Sequence, residues 1–543
     1  MIQKKMYALL FSLLSITSIL DARPRRESKI NLQKYKASLT AQPVEHKQAA
    51  SKQRDKQIAR SSSSSDSETD CVVCGKVTPI FSVPFTITES GKYCLTKNVT
   101  YSGSSAAIVI AANNVSLDLA NHSITLTSPS TGISIANVNE VAISNDALTF
   151  QSNTNAVGGL GIHVINSQKI TLDNNLLSLF EVGLLIENSV EVAVNDSAFN
   201  ECELGSFAIT CTDVRHINTT FDDCQEGLTF DQNCQDILID NVVETNSSFG
   251  SYIRWAHGVI IQNSIFECTN ARNPFSLLQI GSTDDPQAHV FDIIIQNCQF
   301  INRVPVRATD AGAGFEGVLF AAGSNAVVDS CVIDINSSPT PGNQQIGELP
   351  YINGALHFSQ TLPVSLPPSP SAQNQFFSNA RVTNCVLSNL AGNAVTTENF
   401  TQDLTLERNI INSFLIGVYL QGTSATVVRY NDIQHNGANG VEISASNLLL
   451  PAVASTSNTI EYNVIANNGI SGVELDSISE NNLVHDNQVF SNGLRGINNN
   501  GIQNRIFYNT AFDNGTGTVD NYVGADVINA PGNPAVCGEN LSA

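Results

Sequence analysis

Gly440-Val-Glu-Ile443 and Gly472-Val-Glu-Leu475 each set one glutamate between two apolar residues. In an extended chain the apolar pair faces one way and the glutamate the other, so Glu442 and Glu474 point away from a core. Side by side, two such strands hold their backbones about 4.8 Å apart. That is near the roughly 5 to 5.5 Å carboxyl separation of retaining glycosidases, where one acid protonates the leaving oxygen and the other attacks as nucleophile. The plainer alternative is two solvated carboxylates that splay apart or share a cation. Tyr419, in the same place within Gly417-Val-Tyr-Leu420, could stack on a sugar ring, and His357 takes a similar outward position in Gly354-Ala-Leu-His-Phe358. Asp284, Asp285, Arg303, Arg307 and Asp310 form a second constellation. It could bind a charged sugar or, with Ca²⁺, acidify a carbon α to a carboxylate for elimination; ordinary loop charges are the competing account.

Other chemistries are poorly supplied. The only methionines are Met1 and Met6, and the nine histidines are scattered without a short-spaced cluster, so no metal motif is read and no cofactor is expected beyond that Ca²⁺. Lys and Arg total 27 against 49 Asp and Glu, a net charge of −22, so no basic surface exists to release counterions from nucleic acid, which is excluded as a partner. Cys71-Val-Val-Cys74 lacks a second pair at zinc spacing and reads as a local disulfide or two free thiols.

These residues must be positioned by a repeat. Leu406-Glu-Arg-Asn-Ile-Ile411, Val428-Arg-Tyr-Asn-Asp-Ile433 and Ile460-Glu-Tyr-Asn-Val-Ile465 are one pattern, a small polar residue between apolar flanks. Its column runs Asp146, Asn175, Ser197, Thr219, Asn241, Ser264, Cys298, Cys331, Cys385, Asn409, Asn431, Asn463, Asn487 and Asn509, most often in steps of 22. A second column carries Gly132, Gly161, Gly183, Gly205, Gly227, Gly250, Gly317, Gly354, Gly417, Gly440, Gly472 and Gly496 before an apolar-x-apolar triplet. The alternation has period two and no helical spacing. Antiparallel hairpins would reverse the motif at each pass, whereas stacked coils keep both columns in register, so an all-β, right-handed parallel β-helix solenoid of roughly fourteen coils follows. Leucine-rich repeats share the period but need a Leu-dense template that is missing. Stacked Asn amides can each donate to the next carbonyl oxygen, a ladder that satisfies the polar groups of a bend. The thiols of Cys298, Cys331 and Cys385 fill the same space, with a disulfide between neighbouring rungs as the alternative; Cys202 and Cys224 are a second stack.

Extra residues interrupt the regular offsets at about 281–290, 359–380 and 445–457 on one flank of the Gly-led strands, and at about 302–316 and 336–353 on the other. A groove over that sheet is expected, since long loops on a rigid scaffold are where function tends to sit.

At the ends, Lys4 and Lys5 precede an apolar run from Met6 to Leu20, so residues 1–22 read as a secretory signal cleaved near Ala22, or else as an uncleaved anchor. Residues 23–70 hold 11 basic and 6 acidic residues and the run Ser61 to Ser65, a disordered linker; from residue 71 onward 14 basic face 42 acidic residues. Residues 71–130 are assigned to an N-terminal cap and first coils, 131–515 to the β-helix and 516–543 to a C-terminal cap or tail. No later stretch is long and apolar enough to span a bilayer, so the mature chain is expected to be secreted, periplasmic or on the cell surface.

Thr86-Ile-Thr-Glu-Ser-Gly-Lys-Tyr-Cys-Leu95, Ile108-Val-Ile-Ala-Ala-Asn-Asn-Val-Ser-Leu-Asp-Leu119 and Asn121-His-Ser-Ile124 resemble the start of bacterial right-handed β-helix repeat proteins of the pectate-lyase-like superfamily. The resemblance spans about residues 80 to 515. It implies fold and export more than activity, because the superfamily includes lyases, polygalacturonases, alginate epimerases, copper-maturation proteins and adhesins. The Asn-Thr-Asp and Gly-His-Gly motifs of polygalacturonases and the Asp-Pro-His-Asp of alginate epimerases are absent. The expectation is therefore an exported β-helix that binds carbohydrate or a cell-surface partner without catalysis. The alternatives are a polysaccharide lyase or glycoside hydrolase working in the loop-bordered groove, and a structural envelope component.

Overall fold

The computed structural model describes residues 77–515 apart from 152–156, 270–275, 283–288, 304–315, 322, 336–353, 359–376, 390–391, 399–400, 413 and 446–452, together with strands Val527–Asn529, Val536–Cys537 and Leu541–Ser542. The expected signal and linker lie outside the described residues, as do Asp284, Asp285, Arg307 and Asp310.

Among the described residues there are strands and no helix. One turn of the chain shows the plan: Val182–Glu187 lies in sheet B, Val190–Asn195 in sheet A and Ala198–Asn200 in sheet C, and Leu204–Ile209 then re-enters sheet B beside the first strand. Every pairing is parallel and joins each strand to its equivalents one coil before and after. Sheet A has 18 strands, and B and C 17 each. The polar column marks fourteen coils, and three more extend it: two before Asp146 and one after Asn509.

From Asn145 to Asn509, two residues suffice to turn each corner between sheets A and C. The first adopts a left-handed conformation: Asn145 (φ 55°), Asn174 (φ 55°), Asp196 (φ 49°), Asn218 (φ 54°). The second returns to extended geometry with its side chain inside. Asn and Asp tolerate positive φ better than other non-glycine residues, which is why they recur here. One rung corrects the sequence reading: Asn241 is the left-handed residue (φ 53°), and the fully buried Val242 takes the inward place. Gly250 and Gly354 likewise stand one position early, opposite Glu226 and Glu316, and Ala355 occupies the glycine column in its coil.

The amide ladder is continuous. Asn409 Nδ2 donates to Asn431 Oδ1 (3.0 Å), Asn431 to Asn463 (3.0 Å), Asn463 to Asn487 (2.9 Å) and Asn487 to Asn509 (2.9 Å). Each Oδ1 also accepts the backbone N–H of the preceding rung, as Asn463 does from Asn431 at 2.9 Å. Two further ladders were not read from the sequence: Asn436–Asn468–Asn492–Asn514 at the C-to-B corner, and Asn458–Asn482–Asn504 between B and A. In earlier coils Ser197 and Ser264 Oγ accept the backbone N–H instead. Cys202, Cys224, Cys298, Cys331 and Cys385 are buried free thiols, filling corner positions without cross-linking them.

The glycine column has a steric cause. A Cβ on Gly161, Gly417, Gly440 or Gly472 would come within 2.4 to 2.7 Å of the carbonyl oxygen of the glycine one coil on. Inside, like stacks on like: Phe199 on Phe221 (centroids 4.8 Å), Phe266 on Phe300 (5.2 Å), Phe320 on Phe358 (4.8 Å). His216, wholly buried between Val194 and Ile239 in register, breaks this rule, and so does Glu244. Glu244 lies between Phe221 and Phe266 in register, wholly buried, its carboxylate accepting from the Ser251 hydroxyl. Burial pushes its pKa up to about 7.

Asn463→Leu removes a rung and strands the backbone N–H of Asn431 and the carbonyl of Val428, which Asn463 satisfies at 2.9 and 2.8 Å. At about 1–3 kcal/mol for each buried unpaired group, urea unfolding should report a loss of about 3 kcal/mol or more. A loss below 1 kcal/mol would contradict the ladder's role. Glu244 supplies a pH test. Its folded pKa of about 7 exceeds the unfolded value of about 4.3, so its favourable share is complete below pH 4.3 and is lost as pH rises to 7. Glu244→Gln should therefore unfold later than wild type at pH 8, by on the order of 3 kcal/mol, with the advantage gone at pH 4; a pH-independent difference would argue against this.

Candidate functional site

Sheet B carries its apolar-x-apolar triplets as expected, with the middle residue outward. Register aligns those residues as one column, Leu319, His357, Thr396, Tyr419, Glu442, Glu474 and Asn498. Sequence reasoning thus placed Tyr419, Glu442 and Glu474 on successive coils of one face, and the structure brings them together. Tyr419, on Ile416–Gln421, pairs with Glu442 on Val441–Ser444, which pairs with Glu474 on Ser471–Leu475.

Both carboxylates are half-buried and held by neighbours. Asn439 Nδ2 donates to Glu442 Oε2 at 2.8 Å, and the Ser471 hydroxyl donates to Glu474 Oε2 at 3.0 Å. Asn498 Nδ2 donates to Glu474 Oε1 at 2.6 Å and Asn500 Nδ2 to the same oxygen at 3.2 Å. Burial is the main cause raising the pKa of each, with the Asp476 carboxylate adding to both. Burial, then the charge of Glu442, likewise raises the Tyr419 phenol. Asp476 itself anchors the chain beside the site: its Oδ2 accepts from Ser444 Oγ and Ala445 N, both at 2.8 Å, and its Oδ1 from Ile478 N and Ser479 N at 2.9 and 2.8 Å.

Further along the column the face changes character. Gln279, Leu319, His357 and Thr396 point away from the core yet are 8%, 3%, 2% and 3% exposed, so solvent is shut out of sheet B there. His357 Nδ1 lies 2.7 Å from Glu316 Oε1 and its Nε2 3.4 Å from Glu398 Oε2. Burial alone would lower its pKa; the two carboxylates outweigh this and raise it to about 10. His357 is therefore an imidazolium locked between two acids and would act on a ligand only by positioning them. Arg303 bonds to Asp334 Oδ2 at 2.6 Å in the coil before Leu319. Five strand spacings, roughly 24 Å, separate its coil from that of Glu442. Among the described residues no three His, Cys, Asp or Glu side chains are grouped to hold a metal ion.

Glu316, Glu398, Asp476 and Asn498 were not singled out in the sequence. A signal existed: the residue just before the glycine column reaches the outward residue three positions on, as in Asn439 to Glu442, Ser471 to Glu474, Asn393 to Thr396 and Glu226 with Thr229. Glu316 stands in that place before Gly317.

The His357 triplet carries a testable sign. The imidazolium persists to about pH 10 when folded, against about 6.5 unfolded, so its contribution is complete below pH 6.5 and is lost as pH climbs to 10. Unfolding free energy should fall over that window in wild type and stay flatter in His357→Gln. That variant, taking the imidazolium away from the buried Glu316 and the half-buried Glu398, should cost about 3 to 5 kcal/mol at pH 6.5. Parallel pH profiles for the two proteins would refute the assignment.

Residues 372–524 match the family model described as right handed beta helix region. No curated protein gives a significant match. Among solved structures the chain is similar to the periplasmic alginate epimerase AlgG (11% identity, 81% of this chain and 78% of that one, TM-score 0.23). It is also similar to PfbA, a surface adhesin of Streptococcus pneumoniae (11%, 76% and 84%, TM-score 0.33). A third is a mutant tailspike protein of E. coli bacteriophage HK620 in complex with a pentasaccharide (11%, 81% and 74%, TM-score 0.42). No helix among the described residues is long and apolar enough to cross a membrane. With a family match over residues 372–524 and three parallel sheets that continue the same coil from Val77 onward, this chain is a right-handed parallel β-helix protein.

Proposed function

We propose that the chain is an exported β-helix that binds carbohydrate without catalysis, on the outer face of sheet B at Tyr419, Glu442, Glu474 and Asn498. The observation that carries this reading is the Asn498 side chain. It is 2% exposed, its nitrogen is spent on Glu474, and its Oδ1 has no donor. A buried acceptor without a donor costs about 1–3 kcal/mol, and a sugar hydroxyl at Glu474 that draws the Asn498 side chain outward would relieve it. Tyr419 offers an amphipathic ring two coils away, and the two carboxylates add acceptors at coil spacing. Hydrolysis by the Glu442–Glu474 pair is the less favoured reading: an acid and a nucleophile need proton affinities pushed apart, and burial moves these two in the same direction. The apolar run after Lys4 and Lys5 supports export.

The test is a screen of acidic and neutral polysaccharides against the purified chain, with and without Ca²⁺, following both affinity and the release of reducing ends or unsaturated products. Binding weakened about tenfold by Tyr419→Ala and by Asn498→Ala, with no products, is the expected outcome. Products abolished by Glu442→Gln would replace this reading with the hydrolase or lyase. No binding at all would leave a structural envelope role.

A further inference from the structure

The left-handed corner position between sheets A and C is Asn or Asp in eight of the nine coils from Asn145 to Asn384, with Ser330 the exception. In the next five coils it is Arg408 (φ 57°), Tyr430 (φ 56°), Tyr462 (φ 55°), Asp486 (φ 55°) and Tyr508 (φ 58°). A bulky side chain at positive φ costs roughly 1 kcal/mol or more relative to the residues used elsewhere in this chain. Yet three tyrosines take that place, and all three stay open to solvent, 49%, 45% and 55% exposed. Local rules broken at positions that stay open to solvent point to use.

The rings form one surface. Tyr430 stacks on Tyr462 at 5.2 Å, Tyr462 meets His485 edge-on at 5.9 Å, His485 stacks on Phe507 at 5.3 Å, and Phe507 meets Tyr508 at 5.1 Å. The adjoining outward column of sheet A runs Glu407, Arg429, Glu461, His485, Phe507 in register. At its lower end three guanidiniums, Arg381, Arg408 and Arg429, converge on one carboxylate, Glu407, at 2.9, 3.2 and 3.1 Å. Three positive charges gather there on a chain of net charge −22 with 14 basic residues after position 70; the Glu461 carboxylate follows Arg429 in register and lies 3.3 Å from His485, and Asp486 lies beside Tyr462 and His485. Each guanidinium has five donors, so most remain to be used.

We propose that this aromatic and basic ridge, separate from the outer face of sheet B, is a binding site for an acidic oligosaccharide that runs along the helix axis, its sugar rings stacked on Tyr430 and Tyr462 and a carboxylate on the Arg381–Arg408–Arg429 cluster. Pyranose C–H faces suit exposed tyrosine rings, and the local charge selects an anionic sugar over a neutral one. The site is independent of Tyr419 and Glu474, and it can stand or fall without them.

Calorimetric titration of the full chain with hexamers of galacturonate, of mannuronate and, as the neutral control, of cellohexaose tests this. A uronate hexamer should bind more tightly than cellohexaose. The double variant Tyr430→Asn, Tyr462→Asn should lose about tenfold in affinity or more while its melting temperature holds or rises, because Asn is the residue this corner prefers. Arg408→Gln should weaken the uronate and leave the neutral hexamer alone. Unchanged affinity in the double variant, a melting temperature lowered by several degrees, or no uronate binding in wild type would each overturn the proposal. Affinity lost through Tyr419→Ala while the ridge variants bind normally would also overturn it, and would assign the sugar to sheet B.

Discussion

The fold rests on how a chain turns a corner in two residues without stranding buried polar groups. Parallel ladder bonds satisfy the backbone along each sheet, but at a corner the chain swings away from its neighbour and the N–H groups there need another acceptor. An amide side chain facing inward supplies both functions: its oxygen takes the backbone N–H of the coil before, and its nitrogen donates to the next rung and to a backbone carbonyl. Asn463 does all of this with four bonds of 2.8 to 3.0 Å. Because each rung bonds to the next, the spacing of coils is set at the corners and the flat sheets follow from it. In the earlier coils Ser, Thr and Cys do the same task with a single atom, which is why those corners accept substitution among small residues.

That constraint decides where variation is tolerated. From Asp146 to Asn509 insertions sit on the two flanks of sheet B, and the A-to-C corner keeps its two-residue turn through that whole column. The outward column of sheet B then divides by what surrounds it. Where Glu316 and Glu398 close on His357 the face is sealed, with one imidazolium held between two carboxylates. From Tyr419 to Glu474 solvent reaches the face, and hydrogen bonds from amides and a hydroxyl hold the carboxylates, with the Arg495 charge acting on Glu474. An acidic chain can keep such groups half-buried only because neutral donors are arranged around them, and the abundance of Asn makes that arrangement cheap in sequence terms.

Much of this was legible from spacing alone. A polar column and a glycine column at fixed offsets dictate stacked parallel coils, and the alternation in Gly440-Val-Glu-Ile443 fixes which residues face out. Register slipped where the local pattern was ambiguous: Asn241 and Val242 adjoin, both fit an apolar flank, and only backbone geometry tells the left-handed residue from the inward one. The two other amide ladders lay in view as Asn458, Asn463, Asn468 and again as Asn482, Asn487, Asn492, five residues apart because a three-residue strand plus a two-residue corner makes one side of the coil. A search for a period of 22 overlooks a period of five within it. The burial of His357 was not legible, since an outward position on a strand does not say what covers it. Nor was the Glu316 that pairs with it, 41 residues earlier in sequence.

A solenoid of this kind separates stability from recognition more cleanly than a globular core does. Rungs and glycines that face inward or touch the next coil are fixed by their neighbours, whereas an outward residue answers only to its own backbone and to what it meets in solution. Departures from the best local choice on the outside are therefore informative in a way that departures inside are not. Glu244 among phenylalanines is an inward departure with a local remedy in the Ser251 hydroxyl. The tyrosines at the A-to-C corner are outward departures with only a partial one: Tyr430 stacks on Tyr462 and Tyr508 meets the Phe507 ring beside it, yet all three take the left-handed conformation and stay exposed. A corner that had Asn available in most earlier coils and uses Tyr in three of the last five has traded backbone ease for an exposed, mutually stacked row of rings, and that trade is what the proposed sugar-binding ridge accounts for.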